Sequence, residues 1–161
     1  MTIEELAEAT LSFLRRRGQT LATAESLTGG GVGMLLTTVP GSSENYRGGV
    51  ISYTDEVKHR VLGVPSGILE TDGAVSAGTA AAMAEGVKTV CGADWAISTT
   101  GLAGPGGDGS GKPVGLVYTA VSGPEGTESF VHRFSGGRED VRGKACRAAL
   151  EELLRKLGGD P

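Results

Sequence analysis

Thr23-Ala24-Glu25-Ser26-Leu27-Thr28-Gly29-Gly30-Gly31 is the stretch from which the rest of the chain can be read. Residues 20–25 read as a short strand running into it. It precedes Gly29 to Thr38, where Val32, Met34, Leu35 and Leu36 suggest a glycine-rich helix. A strand, a tight polar turn and a helix start, in that order, are where an α/β protein holds an anion or presents a reactive side chain. Thr28 is a cap candidate for the helix, which would leave the Ser26 hydroxyl free. The competing reading is that Ser26 itself is the cap.

Working outward, residues 2–17 predict an amphipathic helix, with a Thr2–Glu5 capping box and Gly18 placed to end it. Gly48 to Tyr53 reads as a strand. Thr54 is the cap candidate for a helix that begins Asp55-Glu56-Val57-Lys58 and is broken at Val64-Pro65, after which Ser66 could cap another short one. Ser76 caps an alanine-rich helix to about Val90, and Asp94 to Thr100 reads as a buried strand. After a glycine loop from Thr100 to Pro113, Val114–Val121 and Glu128–Phe134 form a strand pair joined through Ser122 to Gly126. Arg138 to Leu157 is the last helix. Helices interleaved with strands, with a late hairpin and no linker or repeat, predict one α/β domain over residues 1–161. The expected architecture is a three-layer α/β/α sandwich with a mixed sheet.

Composition excludes several classes. The net charge is −4, and the only basic run, Arg15-Arg16-Arg17, sits where it complements a helix dipole. Neither nucleic acid nor an anionic membrane is expected as a partner. No stretch approaches the roughly 20 apolar residues that span a bilayer, and the acidic start is unlike a secretory signal. Cys91 and Cys146 are far apart and outside any Cys-x-x-Cys pair, so free thiols in a reducing cytoplasm are expected. With only His59 and His132 besides, no spacing resembles a metal site, and no metal or cofactor is expected. The 28 glycines are not periodic and gather in the loops, which indicates many tight turns.

The glycine loop invites two motif readings and satisfies neither. Gly104-Pro105-Gly106-Gly107-Asp108-Gly109 has the glycine spacing of a dinucleotide fingerprint but leads into a strand rather than a helix. Gly111-Lys112 looks like the end of a P-loop, yet Pro113 replaces the Ser or Thr that would hold magnesium. A loop at the end of a buried strand can contact a ligand or simply cover the surface. A nucleophilic serine needs a base. Neither histidine has a carboxylate nearby in sequence to orient it, so a Ser–His–Asp triad is poorly supported. Lys58 is the better candidate. Burial and a helix N-terminus would lower its pKa, whereas Asp55 and Glu56 would raise it if they faced it. Tyr53 could donate a hydrogen bond or stack on a ring, or be an edge aromatic. Arg138 and Arg142 open the last helix, where cations oppose its dipole. Either an anionic ligand or the neighbouring Glu139 and Asp140 would compensate.

Five motifs occur in order: Thr23-Ala24-Glu25-Ser26-Leu27-Thr28-Gly29-Gly30, Tyr53-Thr54-Asp55-Glu56-Val57-Lys58, Gly101-Leu102-Ala103-Gly104-Pro105, Lys112-Pro113-Val114-Gly115 and Phe134-Ser135-Gly136-Gly137-Arg138. Together they resemble the CinA C-terminal domain family, also found alone as nicotinamide-nucleotide amidohydrolase, from about residue 4 to 157. The resemblance implies hydrolysis of the carboxamide of nicotinamide mononucleotide, a pyridine nucleotide, to nicotinate mononucleotide and ammonia. It implies a Ser/Lys dyad with no metal and a homodimer. On matching positions Ser26 would be the nucleophile and Lys58 its base, with Tyr53 in the same pocket. Backbone N–H groups near Thr28, Gly29 and Gly30 are the expected oxyanion donors. Thr100 and Gly101, with Arg138 or Arg142, would hold the ribose phosphate. Leu27 and Thr54-Asp55 depart from the commoner cysteine and Ser-Asn. A catalytically silent module that binds a nucleotide or a protein partner is the alternative.

Overall fold

All 161 residues are described in the computed structural model. Five strands form one sheet in the order β2-β1-β3-β4-β5. They are β1 (Leu21–Glu25), β2 (Tyr46–Ile51), β3 (Trp95–Gly101), β4 (Leu116–Gly123) and β5 (Gly126–Arg133). β1 runs parallel to both β2 and β3, whereas β4 and β5 add on antiparallel, so the sheet is mixed. Helices α1 (Ile3–Arg17), α2 (Gly31–Thr38) and α6 (Arg138–Lys156) cover one face. The other carries α5 (Ala77–Cys91), preceded by the short α3 (Asp55–Arg60) and α4 (Ser66–Thr71). This is the expected three-layer sandwich. No helix is long and apolar enough to cross a membrane.

Local chemistry accounts for most of the boundaries. Thr2 and Glu5 form the capping box, with hydrogen bonds of 3.1 and 2.7 Å, and Gly18 ends α1 in the left-handed region. Thr54 and Ser76 cap α3 and α5. Ser66 does not cap α4. Pro65 precedes it, with its own φ near the helical value, and Ser66 is the first helical residue. The late hairpin pairs as far as Gly123 with Gly126, which leaves only Pro124-Glu125 as the turn. Ladder hydrogen bonds therefore extend into what reads locally as loop.

The two faces are packed differently. On one, Leu6, Leu11, Leu14, Leu36, Leu150, Leu153 and Leu154 close over Leu21, Ile97 and Val121. On the other, Ala22, Ala24, Ala96 and Ala120 present a smooth surface against which Ala80, Met83, Ala84 and Val87 of α5 lie. These buried apolar groups are the main source of stability. The consequence for function is topological. The segments after β1, β2 and β3 all leave the carboxyl ends of parallel strands, where open α/β sheets place their ligands. The antiparallel β4 starts at that end and β5 finishes there, so the glycine loop and the start of α6 join the same rim.

Candidate active site

Ser26 is the first residue beyond β1, and its N–H donates to the Thr99 carbonyl of β3 at 3.0 Å. Gly29 (φ 59°) and Gly30 (φ 100°) then close the turn in a backbone region that other residues enter only at a cost. Thr28 is not the cap of α2. The cap position is Gly30, which has no side chain to offer, and the buried Thr28 hydroxyl donates to Glu25 at 2.5 Å and meets Thr99 at 2.8 Å. The capping group is the Glu25 carboxylate, which accepts from the Val32 and Gly33 N–H groups at 2.9 and 3.0 Å. A buried acid with no cationic partner is thereby held by one hydroxyl and two helix amides.

Ser26 is left out of the capping network. Its carbonyl accepts from the Gly29 N–H at 3.1 Å, which removes Gly29 from the expected oxyanion donors. The N–H groups of Leu27, Thr28 and Gly30 donate to no acceptor in the protein. From below, Arg142 of α6 donates to the Leu27 carbonyl at 2.9 Å and to the Thr28 carbonyl at 3.4 Å. Those bonds orient the peptide planes so that the turn's carbonyls face the protein body. Glu25 is thus the residue missed in the sequence, and three consecutive glycines with no capping side chain were the available signal. Glu25→Gln must face an amide N–H toward at least one of three donors. It is expected to lower the unfolding free energy by about 2 kcal/mol, read as a lower urea midpoint at unchanged slope.

Lys58 stands in the last turn of the short α3, not the first, and is 1% exposed. Its Nζ donates to Ser26 Oγ at 2.9 Å and to the Ser52 carbonyl at 2.6 Å. Burial pulls its pKa from 10.5 down to about 8, against the opposing pull of the Asp55 charge. Glu56 takes no part, because it pairs outward with Arg60 at 3.0 Å. With a pKa near 8, about a tenth of the lysine is neutral at pH 7 and able to accept a proton.

Ser26 and Lys58 open into a cavity of about 480 Å³ lined also by Tyr53, Asp55, Thr100, Gly101, Asp108 and Arg138. Its size suits a small molecule. Tyr53 is 60% exposed at the rim, so its ring has a free face. Arg138 bridges the mouth, donating to the Gly104 carbonyl at 2.7 Å and to the Tyr53 hydroxyl at 3.3 Å. Arg142 does not line the cavity, being committed to the turn after β1. The Thr100 hydroxyl is engaged too, donating to the Ala74 carbonyl at 2.7 Å. Gly101 is glycine because a Cβ would lie 2.7 Å from Val117 and 2.8 Å from the Leu116 carbonyl. Of the cavity's two acids, Asp108 accepts from the Ser110 N–H and hydroxyl, which hold it below the usual carboxylate range. Asp55 is unpaired.

The histidines lie elsewhere. His59 turns its ring to the Val64 carbonyl at 2.8 Å. His132 has a carboxylate partner after all, Glu152 at 2.8 Å from α6, but its Nε2 is spent there and on the buried Thr119 hydroxyl. A larger depression of about 830 Å³ lies at the opposite end of the sheet. Most of its polar groups are engaged within the protein: Trp95 donates to Gln19, Arg17 to the Leu157 carbonyl, and Lys156 pairs with Glu128.

Residues 3–157 match the family described as "CinA C-terminal domain". The "CinA-like protein" of Parasynechococcus marenigrum (strain WH8102) is 51% identical over 97% of this chain and 38% of its own length. That of Thermosynechococcus vestitus (strain NIES-2133 / IAM M-273 / BP-1) is 50% identical over 98% of this chain and 39% of its own. The chain therefore spans less than two fifths of these relatives. Among solved structures, a competence-damaged protein (CinA) superfamily protein from Klebsiella pneumoniae superimposes with a TM-score of 0.95 at 36% identity, covering 98% of this chain and 99% of that one. The competence/damage inducible protein CihA from Agrobacterium tumefaciens gives 0.91 at 40% identity, over 97% and 95%.

Proposed function

Because this chain belongs to the CinA C-terminal domain family, we propose that it is an amidohydrolase that converts nicotinamide mononucleotide to nicotinate mononucleotide and ammonia through Ser26 and Lys58. The observation that carries this reading is the 2.9 Å contact between Lys58 Nζ and Ser26 Oγ inside a small-molecule cavity. A buried lysine that is partly neutral beside an uncommitted serine is the pairing nucleophilic catalysis requires.

In the proposed sequence, neutral Lys58 takes the Ser26 proton as Oγ attacks the carboxamide carbon. The oxygen that gains charge is met by the unpaired N–H groups of Leu27 and Thr28, held in place by Arg142 and Glu25. Lys58, now an ammonium, returns the proton to the departing nitrogen, and ammonia leaves with Ser26 esterified. Water enters and gives its proton to Lys58. The water oxygen bonds to the ester carbon, and the bond to Oγ breaks as Lys58 returns the proton to Ser26. The product leaves as its carboxylate, its acid proton going to the ammonia or to solvent. The Ser52 carbonyl holds Nζ in line throughout. At the mouth, the Tyr53 ring offers a face for the pyridine, and Arg138 can exchange its neutral partners for the phosphate, a charge-assisted bond.

The test is ammonia release from nicotinamide mononucleotide by the purified chain without added metal. Steady release with formation of the nicotinate nucleotide is expected. No release from this or related amides by folded protein would leave a binding module instead.

A further inference from the structure

Asp55 has a position and a lack of partners that the proposed chemistry does not use. It lines the cavity with Ser26 and Lys58. Of the two acids in the first turn of α3, Glu56 is paired outward with Arg60, while Asp55 makes neither ion pair nor hydrogen bond. The cavity's other acid, Asp108 of the glycine loop, is tied to Ser110, and its guanidinium, Arg138, stands between Tyr53 and Gly104. Asp108 keeps its charge but has its Oδ1 held by Ser110, so Asp55 is the cavity's one anion with no hydrogen bond or ion pair, and it stands on the helix that carries Lys58.

We infer that Asp55 is a specificity-determining residue that selects a carboxamide borne on a positively charged ring over an uncharged one. This rests on the amidohydrolase reading and deepens it. A pyridine substituted at its ring nitrogen is a cation. Bringing it next to Lys58, itself charged in most molecules at neutral pH, would be repulsive without a nearby anion. Asp55 supplies that anion on the same helix as the base. A neutral ring gains nothing from it. The same carboxylate also favours the ammonium form of Lys58, so removing it should act on the base in a known direction. The other charges facing the cavity, Asp108 and Arg138, stay in place, and the His59 ring is turned to the Val64 carbonyl.

The experiment compares two ligands by calorimetry in the Ser26→Ala background, where substrate persists. The ligands are nicotinamide mononucleotide and its carbon-linked isostere, whose ring is uncharged. With Asp55 present, the cation is expected to bind about tenfold tighter, and Asp55→Asn should cut that preference to about twofold or less. Glu56→Gln should leave the preference unchanged. With Ser26 restored, Asp55→Asn should also move the rising limb of kcat/KM to lower pH. A cation preference undiminished in Asp55→Asn overturns the inference and shifts discrimination to the Tyr53 ring, with amide hydrolysis still standing. If neither ligand binds or is turned over, the amidohydrolase reading itself falls and takes this inference with it.

Discussion

Ser26→Ala is expected to reduce kcat for amide hydrolysis by about 10⁴-fold or more while leaving the protein folded. The effect is large because no other hydroxyl in the cavity is placed to take over: Thr100 donates to the Ala74 carbonyl, and the Tyr53 hydroxyl sits at the rim, where it accepts from Arg138. Substrate affinity should change little, since the cavity walls, Arg138 and the free amides of Leu27 and Thr28 are untouched. Stability should fall by no more than about 1–2 kcal/mol, the cost of taking Oγ away from the buried Lys58 ammonium. Ser26 anchors the turn through its backbone N–H to Thr99, which alanine keeps, and capping of α2 belongs to Glu25. Circular dichroism and the urea midpoint check the fold, and ammonia release reads the activity.

Lys58→Met is expected to lose activity on a similar scale and to make the protein more stable at neutral pH. The sign follows from linkage. The folded-state pKa is about 8 and the unfolded value 10.5. Below pH 8 both states are protonated and the folded one carries a buried charge, at a cost of about 3 kcal/mol. Between pH 8 and 10.5 the unfolded state binds more protons, so wild-type stability rises through that window. Methionine keeps the stem's packing and removes the charge, but it leaves the Ser52 carbonyl without its 2.6 Å donor, worth about 1–2 kcal/mol. The net gain at pH 7 is on the order of 1 kcal/mol, or roughly 3 °C in Tm. It should shrink and then reverse as the pH approaches 10. Thermal unfolding at three pH values reads both signs. A variant that is less stable at pH 7 and unchanged at pH 10 would contradict a buried, charged lysine.

The elements were legible where a local rule acts alone. The Thr2–Glu5 box, Gly18, Thr54 and Ser76 each satisfy backbone groups within three or four residues, so the sequence contains the whole interaction. Reading failed where the partner lies on another element or in an atypical place. Glu25 caps α2 from the preceding strand, seven and eight residues from the amides it serves. Thr28, at the expected distance for a cap, turns its hydroxyl back to that same acid. Arg142 and Arg138 look interchangeable in sequence. Only the packing of α6 under the turn sends one to backbone carbonyls and the other to the cavity mouth. His132 lacked a carboxylate in sequence and finds Glu152 across the sheet–helix interface. The burial of Lys58, on which the chemistry depends, is likewise tertiary. Its helix is one and a half turns long and charged, and only the fold places its stem beneath the rim.

The account turns on Lys58 acting as base to Ser26, and the pH dependence of kcat/KM for nicotinamide mononucleotide tests that most directly. The free-enzyme base must be neutral, so the rate should rise with pH along a single limb with a midpoint of about 8. A profile flat from pH 6 to 9, or one whose limb falls near 6.5 where an ordinary histidine titrates, would contradict it.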